Sequence, residues 1–154
     1  MVGRFEQFCG AIASIQHSIA KIERMEMEKH GLKGPHAQCM LVMERNPDGI
    51  TAAALCAECE KDKAAISRTL AELDAAGMIT RVDINGKRYR SRLYLTEKGK
   101  AVARQVNDLV HQAVSRVTSG YDVVTREVFV HVLGLIALNL QELCRMGFPE
   151  DDPA

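Results

Sequence analysis

The sequence contains no tryptophan, and aromatic residues make up only 5% of its 154 positions. Apolar residues nevertheless make up 47% of the chain, so a core must be built from aliphatic side chains and methionine. This composition is typical of packed helices rather than of a β-sandwich, whose strands favour aromatic and β-branched residues. The length fits one domain, or one domain with helical extensions.

The chain also lacks net charge, because its 20 Lys and Arg residues equal its 20 Asp and Glu residues. The net charge of the whole chain therefore does not indicate nucleic-acid binding. The distribution is uneven, however, since residues 79–100 contain seven basic side chains and two acidic ones. The electric field that holds a phosphate is local, so one basic stretch can bind DNA in a neutral protein.

Signals for secretion, membrane insertion and catalysis are missing from the pattern. No basic N-terminal segment precedes an apolar block, and the most apolar run, residues 128–140, is shorter than a membrane span and contains His131. We therefore expect a cytoplasmic protein with reduced thiols and no membrane partner. No glycine-rich phosphate loop, nucleophile motif or carboxylate pair is present, so we expect neither an enzyme nor a cofactor.

Both ends of the chain show helical patterns that need a partner. The N-terminal stripe has alternating spacings of three and four and ends before Gly31; its members include Phe8, Ile12, Ile15, Ile19 and Ile22. The last helix, predicted over about 122–146, is apolar nearly all round. A helix without a polar face must be buried on all sides, so we expect a dimer core built from both ends of each subunit.

The middle of the chain predicts a helix-turn-helix. A second helix is expected over 36–45, followed by a turn at 46–49. Thr51 can cap a short helix over 52–59, and Asp62 can cap the next, over 63–76, with Gly77 after it. Two short helices separated by about three residues form a helix-turn-helix unit.

A basic hairpin follows directly. Residues 78–83 and 90–95 read as two strands around Asn85–Gly86, the strongest short hairpin signal. Alternation places Ser91, Leu93 and Leu95 on one face of the second strand. A helix-turn-helix followed by such a hairpin is a winged helix, and Thr96 can cap a long helix after it.

The predicted fold is therefore mainly α (α+β), a winged helix-turn-helix flanked by terminal helices that form a dimerisation region. Residues 1–34 and 119–154 make up the helical dimerisation region, 35–100 the DNA-binding domain, and 101–118 a long connecting helix.

Two segments carry a resemblance to a known family. The recognition-helix segment 62–70, with Leu73 and Gly77 after it, and the segment Leu93-Tyr94-Leu95-Thr96-Glu97-Lys98-Gly99 resemble the MarR family of bacterial transcriptional regulators. The resemblance implies a homodimeric repressor whose winged-helix lobes bind a pseudo-palindromic operator in double-stranded DNA. It also implies release by a small-molecule effector, often phenolic, or by a redox signal.

The wing departs from the family pattern. Members carry Asp-x-Arg nine residues before the Thr of the Leu-Thr pair, whereas this chain has Lys87-Arg88-Tyr89. The arginine that enters the minor groove would then be Arg88 or Arg90, and Lys87 would also belong to the wing. The alternative is a solvated hairpin face. The missing residues also leave open a protein-interaction module on the same fold without DNA binding.

DNA contacts are expected mainly from the N-terminal half of the recognition helix, which enters the major groove. Arg68 is the leading candidate for a bidentate contact to guanine. The full predicted set on this helix is Lys63, Ala64, Ala65, Ser67, Arg68 and Thr69. Phosphate contacts, which position without specifying sequence, are expected from Thr51, Lys61, Arg81 and Lys98.

Sensor chemistry has weaker candidates. Cys9 could be a reactive thiol on the first helix, or an ordinary helix cysteine; the pair Cys56–Cys59 lacks a second ligand pair and favours core packing, as do Cys39 and Cys144. Zinc-sensing relatives suggest a metal site, for which the candidates here are Glu26, His30, His36 and His111. Surface or capping histidines are the ordinary interpretation.

Overall fold

A computed structural model describes residues 2–84 and 87–147, and it describes their side chains except at positions 2, 5, 84 and 87–90. Within these ranges the chain forms six helices and one two-stranded sheet, as predicted. The elements are α1 (Val2–Lys29), α2 (Gly34–Arg45), α3 (Ala52–Cys59), α4 (Lys63–Ala75), β1 (Ile79–Ile84), β2 (Lys87–Leu95), α5 (Glu97–Val117) and α6 (Val123–Met146). The chain divides into two compact units, Met1–Gln112 and Ala113–Ala154.

Side-chain caps begin the helices where the sequence predicted them. The Thr51 hydroxyl accepts a hydrogen bond from the Ala54 amide at 3.2 Å, and the Thr96 hydroxyl accepts one from Gly99 at 3.1 Å. Each cap satisfies an amide that the first helical turn leaves free. At the other end of α4, Gly77 has a φ of +70°, the left-handed conformation expected after a helix.

The core of the first unit is aliphatic and methionine-rich, as the composition predicted. It joins α2, α3 and α4 to the sheet and to the first half of α5. Its fully buried side chains include Met40, Leu55, Ile66, Leu73, Met78, Leu93 and Val106. This packing holds the two helices of the helix-turn-helix against one scaffold, so α4 is positioned as part of a rigid body.

The hairpin is antiparallel and pairs Ile79 with Leu95 and Arg81 with Leu93, with an irregularity between Val82 and Ile84. β2 begins three residues earlier than predicted. The predicted alternation is confirmed, because Ser91, Leu93 and Leu95 are buried. The predicted turn at Asn85–Gly86 lies outside the described residues.

One residue just before α3, Ile50, pairs with the second strand of the hairpin. Ile50 and Leu93 exchange two backbone hydrogen bonds, at 3.1 and 2.8 Å. Because Ile50 directly precedes the cap of α3, this bridge ties the start of the helix-turn-helix to the wing strand.

α6 is not covered by its own chain, and its predicted burial in a dimer core stays a prediction. Every residue of this helix is described, and none is buried in the single chain. Large apolar side chains on several faces are exposed, among them Val124, Phe129, Val130 and Leu138. By length and composition the whole 24-residue helix could also cross a membrane, although its most apolar part, residues 128–140, is too short to do so. This alone is weak evidence, because helices that are covered by protein have the same length and composition.

Candidate nucleic-acid interface

The turn between α3 and α4 ends the first helix and starts the second within three residues. Glu60 has a φ of 51°, and the amide of Lys61 donates to the Cys56 carbonyl at 3.1 Å. Asp62 then accepts a hydrogen bond from the Ala65 amide at 2.7 Å, which starts α4. The reversal is thus complete within three residues, as the predicted helix-turn-helix requires.

α4 has a buried face and an exposed face. Ile66, Leu70 and Leu73 face the core, whereas Lys63, Ala64, Ser67 and Arg68 are exposed and Ala65 is half-buried. Small and basic side chains on one exposed face of a short helix suit close approach to a DNA groove. Thr69 lies on the buried face at 8% exposure, so it does not belong to this exposed surface.

A surface cavity of about 520 Å³ lies where α3, α4 and β1 meet. Its lining includes Lys63 and Ser67 of α4 and Arg81 of β1, together with Cys56. The fold thereby brings two cations from separate elements to the edge of the exposed α4 surface.

Two of the other predicted phosphate contacts, Thr51 and Lys98, have partners within the protein. Thr51 is half-buried and caps α3, and Lys98 donates to the Ala76 carbonyl at 2.9 Å. Lys61 is half-buried beside the turn. The side chains of Lys87, Arg88 and Arg90 lie outside the described residues, so their contact with DNA stays a prediction.

Arg92 has a structural role that the sequence analysis missed. Its guanidinium donates to the carbonyls of Gly49 at 2.8 Å and Asp48 at 3.3 Å. The ring of Tyr94 also packs closely against this turn, so that a Cβ added to Gly49 would lie only 2.5 Å from the ring. These contacts hold the loop before α3 against the wing strand. In the sequence, the only sign of this role was that Arg92 lies between two residues predicted to be buried.

The proposed histidine cluster does not assemble. His36 is buried and its Nε2 lies 2.6 Å from a Glu72 oxygen, while His30 lies 3.7 Å from Glu26 and His111 is exposed. No group of three potential ligands from His, Cys, Asp and Glu occurs among the described residues. The suggested convergence of Glu26, His30, His36 and His111 is therefore wrong, because His36 is directed to α4.

The five cysteines are free. Cys9 is exposed on α1, and Cys144 is exposed on α6. Cys59 is buried and Cys56 half-buried, in agreement with a packing role for the pair. Cys39 of α2 lies against Cys59, with the two sulfurs 3.8 Å apart, a contact that the sequence pattern did not indicate.

Part of the sequence matches a known protein family. Residues 30–88, from the end of α1 into β2, match the model of the MarR family. The matched segment covers 59 of the 154 residues, so the central part of the chain is similar to that family. No curated protein matches the chain.

Solved structures share the fold over most of the chain. A MarR transcriptional regulator from Methanosarcina mazei Go1 is 20% identical, with a TM-score of 0.79 over 90% of this chain and 99% of that chain. The transcriptional regulator SlyA is 21% identical, with a TM-score of 0.77 over 88% and 94%. A MarR-family regulator from Silicibacter pomeroyi is 21% identical, with a TM-score of 0.70 over 91% and 90%.

The cap of α4 provides a first test of how this helix is held. Replacing Asp62 with alanine should lower the free energy of unfolding by about 1 kcal/mol, because the Ala65 amide loses its acceptor. Urea denaturation measures the change. Asp62→Asn keeps an acceptor oxygen and should retain most of the stability; equal losses in both variants would show that the cap does not matter.

A second test concerns the link between α2 and α4. The Lys33 amide donates to Nδ1 of His36 at 3.1 Å, so the neutral imidazole carries its proton on Nε2 and donates to Glu72. Lys33 also pairs with Glu72 at 2.6 Å. The hydrogen bond from Lys33 is the main cause that lowers the pKa of Glu72, and the hydrogen bond from His36 is the second.

Because its pKa is lowered in the folded protein, Glu72 stabilises the fold above its ordinary pKa, and the contribution is lost as pH falls through the lowered value. Glu72→Gln should therefore reduce the melting temperature at neutral pH, with a difference that shrinks toward about pH 3. Glu58→Gln is the matched control, since Glu58 is exposed on α3 and forms no ion pair with the described residues. An equal effect at Glu58, or a constant difference across pH, would contradict the prediction.

Proposed function

We propose that this chain is a DNA-binding transcriptional regulator that binds a pseudo-palindromic operator as a homodimer and represses transcription. The observation that carries the proposal is the exposed face of α4, which presents Lys63, Ala64, Ser67 and Arg68 while its other face is anchored in the core. Arg81 extends the cationic surface from β1. This is the arrangement that a recognition helix needs to contact base edges.

The homodimer is supported by the uncovered apolar side chains of α6. Leu138 is 63% exposed and Val130 is 66% exposed, although both lie in the middle of a long helix. Contiguous apolar surface of this kind is typical of an interface. We accordingly keep 1–34 and 119–154 as the proposed dimerisation region, and sedimentation equilibrium tests it by measuring the mass in solution.

A small-molecule effector completes the proposal. NadR, which is 16% identical to this chain with a TM-score of 0.68 over 84% of this chain and 88% of that chain, was solved in complex with 4-hydroxyphenylacetate. In this chain a cavity of 310 Å³ lies between α1 and α5 and is lined by Glu26, Gln105, Asp108, Leu109 and Gln112. Its volume lies at the lower end of the range for ligand sites.

Fluorescence anisotropy with labelled fragments from upstream of the chain's own gene tests DNA binding. A regulator that makes 6–10 phosphate contacts should lose about 10³- to 10⁵-fold in affinity between 50 and 200 mM salt. A scrambled fragment of equal length and composition is the control for sequence preference. Affinity that ignores salt, or equal affinity for both fragments, would favour the protein-interaction module instead.

A further inference from the structure

Two thiols in the DNA-binding unit have no part in the proposed DNA contacts. Cys39 lies in the middle of α2, and Cys59 is the last residue of α3. Cys39 is 0% exposed and Cys59 is 3% exposed, and their sulfurs lie 3.8 Å apart. Two soft ligands from separate helices therefore meet in a site closed to bulk water.

The sulfur separation suits a shared metal ion. A disulfide would require about 2.05 Å between the sulfurs. Two sulfurs bound at about 2.3 Å to one ion are about 3.8 Å apart at a tetrahedral angle and about 4.6 Å apart in a linear arrangement. Cys39 and Cys59 thus need to separate by less than about 1 Å to hold an ion between them linearly.

The number of ligands restricts the kind of ion. Within the described part of the chain, no third His, Cys, Asp or Glu joins the two thiols to form a metal-binding group. Structural zinc sites need four protein ligands, so a pair does not suit zinc. Thiolates select soft cations, and Cu(I) is a soft ion that two thiolates can hold without further ligands.

The charge of such a complex must be compensated in a buried site. Burial raises the pKa of Cys39 to about 12 and also raises the pKa of Cys59, so both thiols are neutral when free. Two thiolates with one monovalent cation carry a single negative charge, which costs free energy in a buried site unless a cation lies nearby. Lys61 can supply that cation, because it lies two residues after Cys59, is half-buried, and is held to α3 by the hydrogen bond from its amide to the Cys56 carbonyl.

We propose that Cys39 and Cys59 bind Cu(I) as a two-coordinate bis-thiolate, with Lys61 supplying the compensating positive charge. On binding, each thiol releases one proton and the copper ion keeps its oxidation state, so no redox partner is required. Cys56 provides an entry point, because it is half-buried, lines the 520 Å³ surface cavity and lies one helical turn before Cys59.

The test uses a full-length background in which the other cysteines are replaced: Cys9→Ser, Cys56→Ser and Cys144→Ser. Under anaerobic reducing conditions this protein is titrated with Cu(I) in competition with the coloured chelator bicinchoninate. One Cu(I) per chain should be withdrawn from the chelator, and X-ray absorption should show two sulfur neighbours. Failure to withdraw copper, or three or more sulfurs around the ion, would overturn the proposal.

Variants in the same background assign the ligands. Cys39→Ala should abolish the competition, and Cys59→Ala provides the same test if the first variant fails to fold by circular dichroism. Lys61→Ala should weaken binding by about 10- to 100-fold, as loss of an outer partner does, while Lys61→Arg should restore it. A folded variant lacking either thiol that still competes for one Cu(I) would overturn the assignment, whatever the protein's affinity for DNA.

Discussion

Replacing Gly99 with alanine should destabilise the protein by about 3 kcal/mol or more, because the new methyl group has no space. A Cβ at position 99 would lie 2.0 Å from the carbonyl oxygen of Met78 and 3.0 Å from its carbonyl carbon. The same oxygen accepts a hydrogen bond from the Thr96 amide at 3.0 Å, so it cannot withdraw without breaking the junction between β1 and α5. Urea denaturation measures the loss.

Gly10→Ala is the matched control for this prediction. Gly10 also lies in a helix, but a Cβ there would meet nothing within 4 Å. Alanine at that position should stabilise the helix by about 0.5–1 kcal/mol, because glycine loses more backbone freedom on folding. If Gly99→Ala behaved like Gly10→Ala, the close packing of α5 against Met78 would be contradicted.

Arg68→Ala should weaken operator binding by about 1–3 kcal/mol, or roughly 5- to 150-fold, if this side chain reads a guanine. Arg68 is exposed on α4, so its removal leaves the core intact and the melting temperature nearly unchanged. Arg68→Lys should recover only part of the affinity, because a lysine cannot make the bidentate contact. Anisotropy titrations against the operator and its single-base variants measure both affinity and specificity.

The outcome separates a base contact from a phosphate contact. A base contact predicts relaxed discrimination at one base pair, whereas a phosphate contact predicts equal weakening on every sequence and a salt slope lower by about 1. Arg104→Ala is the control, since Arg104 is exposed on α5 and lines a cavity with Glu44 and Pro47 of the α2 end rather than with α4. An Arg68 variant that binds the operator as tightly as the Arg104 variant would contradict the assigned role.

The sequence predicted the local elements of this chain well. Thr51, Asp62 and Thr96 were identified as helix caps, and each accepts a hydrogen bond from the amide three residues later. Such bonds depend on residue types at a fixed short spacing, so they can be predicted without knowing the fold. The alternation at Leu93 and Leu95 was predictable for the same reason.

Contacts between distant parts of the chain were not predictable from spacing. His36 was considered a metal ligand, but it pairs with Glu72 36 positions later. Cys39 was considered an isolated packing residue, but it meets Cys59 20 positions later. In both cases periodicity indicated a helix face, and the partner on that face depended on how α2 packs against α3 and α4.

The chain has no tryptophan and few aromatic residues, and this composition alone already indicated what its core is made of. The sequence by itself determined that the core is aliphatic, that helices dominate and where most of them begin, because composition and capping act over a few neighbouring residues. Only the tertiary structure decided which side chains of α4 are exposed, that Arg92 clamps the turn at Gly49, and that two thiols share one buried site. Those facts depend on how helices and strands distant in sequence pack together, and local periodicity does not encode that packing.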